Sequence, residues 1–221
     1  MKKNQALKAL EAIRSIARET ENGLSSVVES IDRVIEWAEG CDAFTVDSAP
    51  ANTGGIKYPL PSVAEKFHEP IVVFSDGACR GNPGPGAWGA VAQVRSNEFI
   101  FQKSGVEFNT TNNKMELMGA IEGLKTIEEN LSEYISSDIL LVSDSKYVVD
   151  GLKSWVYGWK KRGWKKADGK QPENLELWKQ LDDINEKLGG VHLFWVKGHS
   201  GHPQNELCDQ LANKALDQVG L

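Results

Sequence analysis

Two short apolar runs constrain most of what this chain can become. Ile71-Val72-Val73-Phe74-Ser75 ends on Asp76 and is followed by Gly77, and Ile139-Leu140-Leu141-Val142-Ser143 ends on Asp144 and is followed by Ser145. Each run has the length and composition of a strand, and each delivers a carboxylate at its C-terminal end, where ligands bind in α/β sheets. Strands are expected at 71–76, 87–95 and 98–106, then a helix at 112–129, a strand at 138–143 and a helix at 145–151. A basic, Trp-rich helical stretch at 153–164 follows, then a helix at 173–188, a strand at 191–196 and a helix at 203–217. Gly81-Asn82-Pro83-Gly84-Pro85-Gly86 is a turn-rich connection and Ser96-Asn97 a hairpin signal. Three strands in a meander, then alternating helix and strand, predict an α/β domain. Its sheet is mixed and five-stranded, three antiparallel strands plus two parallel ones, flanked by helices.

Two further acids stand in equally particular contexts. Glu116 lies on the helix opened by Thr110-Thr111-Asn112-Asn113, off the apolar line of Met115, Met118, Ile121 and Leu124. It shares a stripe with Gly119, Ala120 and Gly123, which suits either a close ligand or tight helix packing. Asp209 follows the loop Lys197-Gly198-His199-Ser200-Gly201-His202-Pro203 on the last helix. Taken singly, each acid reads as an ordinary solvated side chain. Taken together, carboxylates without basic partners repel one another, and the usual remedy is a hard divalent cation with oxygen ligands. That combination points to metal-assisted phosphoryl chemistry.

Charge sharpens the reading. The 221-residue chain carries a net charge of −6, which alone argues against a nucleic-acid binder. Between Lys153 and Lys170, however, there are seven Lys or Arg and one acid, Asp168. A basic patch beside an acidic pocket lets one part hold phosphates and the other hold cations. Cys41, Cys79 and Cys208 are odd in number and form no C-x-x-C pair, so a disulfide framework is not expected and a reducing, cytoplasmic compartment fits. The first residues lack the apolar core of a signal peptide, and no run approaches the length of a membrane span.

The chain divides into three expected pieces. Residues 1–40 carry apolar residues at helical spacing on both sides of Gly23, a helical hairpin small for independent stability. It is expected to dock on a protein partner, on a copy of itself or on the main domain. Residues 41–69, with Pro50, Gly54, Gly55, Pro59 and Pro61, read as a linker with one short helix near Val63–Phe67. Residues 70–218 form the main domain, expected to be monomeric.

Several strings resemble type 1 ribonuclease H of bacteria. They are Asp76-Gly77 with Gly81–Gly86, Thr110-Thr111-Asn112-Asn113-Lys114-Met115-Glu116-Leu117, Ser143-Asp144-Ser145-Lys146-Tyr147-Val148 and Trp159-Lys160-Lys161-Arg162-Gly163-Trp164. Trp195-Val196-Lys197-Gly198-His199 and Gly201–Asp209 complete the set, in collinear order over about 71–217. The resemblance implies the ribonuclease H-like fold and an endonuclease that cuts the RNA strand of RNA–DNA hybrids, leaving 5′-phosphate and 3′-hydroxyl ends. It maps Asp76, Glu116, Asp144 and Asp209 onto four metal-binding carboxylates. Two Mg²⁺ ions are implied, with Mn²⁺ as a substitute. Asp76 would bridge them, one ion activating a water for in-line attack and the other stabilising the leaving 3′-oxygen. His199 maps onto a loop histidine assigned to proton transfer or product release. Cys79, Asn82, Asn112 and Asn113 map onto contacts across the hybrid's minor groove, where amides can both donate to and accept from a 2′-hydroxyl. Trp159, Lys160, Lys161, Arg162 and Trp164 belong to a basic protrusion that grips the DNA strand, tryptophans chiefly for packing and cations for phosphates. Lys146 stands where many bacterial relatives have Gln, and a phosphate or 2′-oxygen remains within its chemistry.

Two rival readings follow from the same residues. A DNA strand-transfer enzyme on this fold is not expected to carry the Asn pair and the basic protrusion in this order. A non-catalytic hybrid-binding module would have a broken carboxylate set, and all four acids are present.

Overall fold

The two apolar runs become the paired centre of the sheet. In the computed structural model, which describes residues 43–48, 57–96, 98–129 and 138–220, β2 (Ile71–Cys79) and β5 (Ile139–Ser143) lie parallel. Ser75 is opposite Ser143, the last pair between these strands, so Asp76 and Asp144 stand side by side where β2 and β5 part while β2 stays paired with β3. On the other side of β2 come β3 (Gly84–Arg95) and β4 (Glu98–Thr110), an antiparallel meander. β6 (His192–Trp195) adds in parallel to β5. These five strands are the mixed sheet the sequence predicts. A sixth, β1 (Ala43–Ser48), pairs antiparallel with β4, giving the order β1-β4-β3-β2-β5-β6.

Alternation along the strands splits the core into two faces. One face carries Ile71, Val73, Ala90, Ala92, Ile139 and Leu141. It is covered by α1 (Asn112–Glu129), the short α2 (Lys146–Asp150), a π-helical turn (Gly151–Trp155), α3 (Val156–Lys161) and α4 (Leu175–Lys187). The small-residue stripe of α1 serves packing, with Gly123 against Val73 and Ala90. The opposite face carries Val72, Phe74, Val91, Leu140 and Val142 under α5 (Pro203–Gln218).

The hairpin expected over 1–40 lies outside the described residues. The linker reading of 41–69 is corrected in two places. Residues 43–48 pair as β1, because β4 is long enough to offer a free edge. Residues 57–67 lie on the α5 face, where Leu60, Ala64 and Phe67 join the apolar cluster and Tyr58 packs edge-on against Phe99 at 5.1 Å. The short helix expected near Val63–Phe67 is a 3-10 turn, Ser62–Lys66.

The tryptophans of the basic segment behave as their spacing of four predicts. Trp155 and Trp159 lie 5.9 Å apart and both meet Trp178 of α4, which is fully buried. Trp178 also donates from Nε1 to the Tyr147 hydroxyl at 3.1 Å. Replacing Trp178 by Ala should cost about 3–5 kcal/mol, the range for emptying a large aromatic site. Urea denaturation read by far-UV circular dichroism checks this, and loss of under about 1 kcal/mol contradicts the packing described.

Candidate active site

Three elements deliver three carboxylates to one place. Asp76 comes from within β2, one residue past the point where its pairing with β5 ends, Asp144 from the residue after β5, and Glu116 from the second turn of α1. One oxygen from each lies within 4.8 Å of the others. Asp76 and Glu116 are each 7% exposed. The approach of α1 to β2 depends on Gly77, where a Cβ would fall 2.5 Å from the Glu116 backbone nitrogen. Gly198 has the matching role in the loop between β6 and α5, since a Cβ there would fall against Asp144 Oδ2.

The surrounding hydrogen bonds aim these groups. The Gly77 N–H donates to Asp76 Oδ1 at 2.8 Å. Asn112 Nδ2 donates to Glu116 Oε1 at 3.3 Å, while its own N–H donates to Asn82 Oδ1 at 3.3 Å. The cap of α1 is therefore Thr111, whose Oγ1 accepts from the Lys114 N–H, and the Asn112 amide is left to face Glu116. Asn205 Nδ2 donates to Asp144 Oδ2 at 3.1 Å, and Trp195 Nε1 donates to the Asp144 carbonyl at 2.8 Å. Asn205 and Trp195 stand in the strings that carry the family resemblance, but the sequence assigns neither a role of its own. Asn205 stands four residues before Asp209, on the same side of a helix, and that spacing was the available signal.

Asp209 stands outside the group of three. Its Oδ1 accepts from Asn213 Nδ2 at 2.8 Å, yet its charge still acts on Asp76. His199 is exposed on the Gly198 loop, with φ +49°, an uncommon backbone conformation for a residue with a Cβ. Cys79 Sγ lies 3.6 Å from the Gly84 and Thr110 carbonyls. Asn82 and Asn113 line a polar cavity of about 420 Å³ with Thr111, Glu173 and Asn174. Lys146 extends over the Trp195 ring at 4.9 Å, beside Asp144.

The basic segment divides. Lys161 and Arg162 are exposed, Lys161 over the Tyr157 ring at 4.3 Å. Lys160 is not the open cation that the sequence suggests. Its Nζ is 2.7 Å from Asp182 and 2.5 Å from Glu186, and the hydrogen bonds to these two acids push its pKa up to about 12. Trp159 is buried and Trp164 half-buried against the same aromatic core, so both rings serve packing.

Electrostatics mark the acidic cluster. Burial, then the neighbouring Asp144, raises Asp76 to about 7. Burial, then Asp76 and Asp144, holds Glu116 well above the usual carboxylate range. The charged neighbours acting on both are all acidic. Glu116 Oε2 is buried and has no hydrogen-bond partner among the described residues. A buried, unpartnered carboxylate oxygen among like charges fits a divalent cation, which would satisfy the oxygen and neutralise the repulsion.

With this geometry in hand, the RNase H family model matches residues 68–217. The chain belongs to the ribonuclease H family. Its RNase H domain is 48% identical over 147 residues to a ribonuclease H of Agrobacterium fabrum, covering 66% of this chain and 94% of that protein. It is 44% identical over 150 residues to one of an Acidovorax species, covering 67% and 96%. Among solved structures it is similar to LC9-RNase H1, a type 1 RNase H with the type 2 active-site motif (33% identity, TM-score 0.58, 67% of this chain and 72% of that one). The fold is also shared with LC11-RNase H1, solved in complex with an RNA/DNA hybrid (22% identity, TM-score 0.54, 68% and 99%). No helix among the described residues is long and apolar enough to cross a membrane.

A raised carboxyl destabilises the metal-free RNase H domain at neutral pH. The stability that the protonated Asp76 provides is fully present below its ordinary value of 3.8 and is lost as pH rises through about 7. In EDTA, Asp76→Asn should stabilise the protein by about 2–4 kcal/mol at pH 8 and change it little at pH 4. Urea midpoints at the two pH values check this, and equal shifts at both contradict the assignment.

Proposed function

We propose that this chain is an endoribonuclease that hydrolyses the RNA strand of RNA–DNA hybrids with the help of two Mg²⁺ ions, leaving 5′-phosphate and 3′-hydroxyl ends. The observation that carries the reading is the convergence of Asp76, Glu116 and Asp144, buried or half-buried, with Glu116 Oε2 unpartnered. Ribonuclease H relatives at 44–48% identity supply the reaction class.

In this reading Asp76, Glu116, Asp144 and Asp209 hold the cations, all by hard oxygen donors suited to Mg²⁺. When bound, such ions lower the pKa of a water and stabilise the charge that develops on a leaving oxygen. The chain's own residues do the rest. Asn112 orients Glu116, and Asn205 orients Asp144, so the carboxylates need little rearrangement. His199, on the loop whose Gly198 touches Asp144, moves a proton at its imidazole or clears product. Asn82, Asn112, Asn113 and the backbone near Cys79 read 2′-hydroxyls, with donor and acceptor in one amide group. Lys161 and Arg162 hold phosphates of the DNA strand, and Lys146 reaches a phosphate or 2′-oxygen beside Asp144. Lys160 leaves this set, because Asp182 and Glu186 already neutralise it.

A labelled RNA–DNA hybrid incubated beside duplex DNA, with Mg²⁺ or EDTA, tests the proposal. Cleavage of the RNA strand only, and only with Mg²⁺, is expected. Binding without cleavage, or joining of DNA ends, contradicts it. Asp76→Asn should cut the rate by about 10³-fold or more while hybrid binding persists, because a cation ligand rather than a phosphate grip is lost.

Replacing Lys161 and Arg162 by Ala should raise KM and reduce the slope of log affinity against log salt by about one to two, with kcat little changed. Lys160→Ala should leave that slope near wild type. Titrating hybrid affinity between low and moderate salt distinguishes the two variants.

A further inference from the structure

Three segments remote in sequence meet in one buried polar contact on the α5 face of the sheet. Gln93 of β3 is fully buried, and Gln204, in the first turn of α5, is 3% exposed. Gln204 Nε2 donates to the Pro59 carbonyl at 2.6 Å and to Gln93 Oε1 at 2.8 Å. Gln93 Nε2 donates in turn to the Tyr58 carbonyl at 3.2 Å. The Leu60 N–H donates to Ser96 Oγ at 3.2 Å, and Tyr58 stacks edge-on against Phe99. The strand-to-helix frame is thereby fastened to a piece of chain that precedes the RNase H match, which begins at residue 68.

Apolar side chains would cover the same surface without any desolvation cost. Two buried amides add direction instead, because each is expensive unless its partners stay in place. That direction reaches the site. The residue after Gln204 is Asn205, itself 3% exposed, whose Nδ2 holds Asp144 Oδ2 at 3.1 Å. Consecutive residues in one helical turn move together, so whatever fixes Gln204 also fixes Asn205.

We infer that residues 58–60, clasped by the Gln93–Gln204 amide pair, position the start of α5 and through Asn205 set the Asp144 carboxylate. Gln204 is then a positioning residue for the reaction, and the segment ahead of the family domain is a working part of its catalytic centre. This rests on the hybrid-cleavage reading, since Asp144 is where the clasp acts.

The test uses the full chain with Gln204→Met, near in shape but without a donor. Tyr58→Ala is the second variant, which loosens the segment from outside the catalytic machinery. Steady-state cleavage of a hybrid in Mg²⁺ is measured well below each variant's melting temperature. The hydrogen-exchange rate of the Asn205 side-chain amide is read by NMR on metal-free protein. Expected are a fall in kcat of about 5–20-fold, KM within about twofold of wild type, and amide exchange faster by about tenfold or more. A purely structural role would lower the melting temperature and move neither kcat nor the exchange rate. That result in a folded variant overturns the inference, as does a rise in KM alone. Should Gln204→Met fail to fold, Tyr58→Ala carries the same decision. A wild-type chain that leaves hybrid uncut overturns the hybrid reading instead, while the exchange rates still judge the clasp.

Discussion

Repulsion among carboxylates that the fold forces together is the constraint on which the rest of this structure depends. Pairing Ser75 with Ser143 across the parallel strands leaves Asp76 and Asp144 no choice but adjacency. Gly77 then admits α1 close enough to add Glu116. Each step buries negative charge with no cationic side chain among the described residues to balance it, and the free energy lost shows as the rise of Asp76 to about 7. Such a site is held by the surrounding core, not by its own contacts. That is why the two central strands are apolar on both faces and why α1 presents an unbroken buried side to them.

The cations of the chain are sorted by the same physics. Lys160 meets two acids of α4 and becomes a brace between helices, while Lys161, one residue on, rests over a tyrosine ring and keeps its charge exposed. Lys146 lies over Trp195, whose indole N–H donates to the Asp144 carbonyl. A count of basic residues between Lys153 and Lys170 overstates what is free to meet a polyanion.

The central sheet and the helices around it were legible in the sequence, because each follows from local periodicity, and three of the four acids singled out there share one cluster in the structure. What escaped depends on distant partners. Nothing near Lys160 announces Asp182 and Glu186, and nothing near Gln204 announces Gln93 or Pro59. Asn112 has the residue type of a helix cap, yet Thr111 takes that bond and the Asn112 amide turns to Glu116. Asp209 lies outside the group of three, and its charge reaches Asp76. The stretch before residue 70 looked like linker because Pro and Gly are frequent there. Proline and glycine report an absence of regular structure, which is compatible with tight packing.

The addition of β1 changes what the sheet shows to other molecules. β4 runs from Glu98 to Thr110, and β1 takes up its hydrogen-bonding groups from Gln102 to Glu107. Among the described residues, the outermost strands are then β1, of six residues, and β6, of four. Short rims make poor templates for intermolecular strand addition, so a protein whose longest strand would otherwise lie open gains protection against edge-to-edge aggregation.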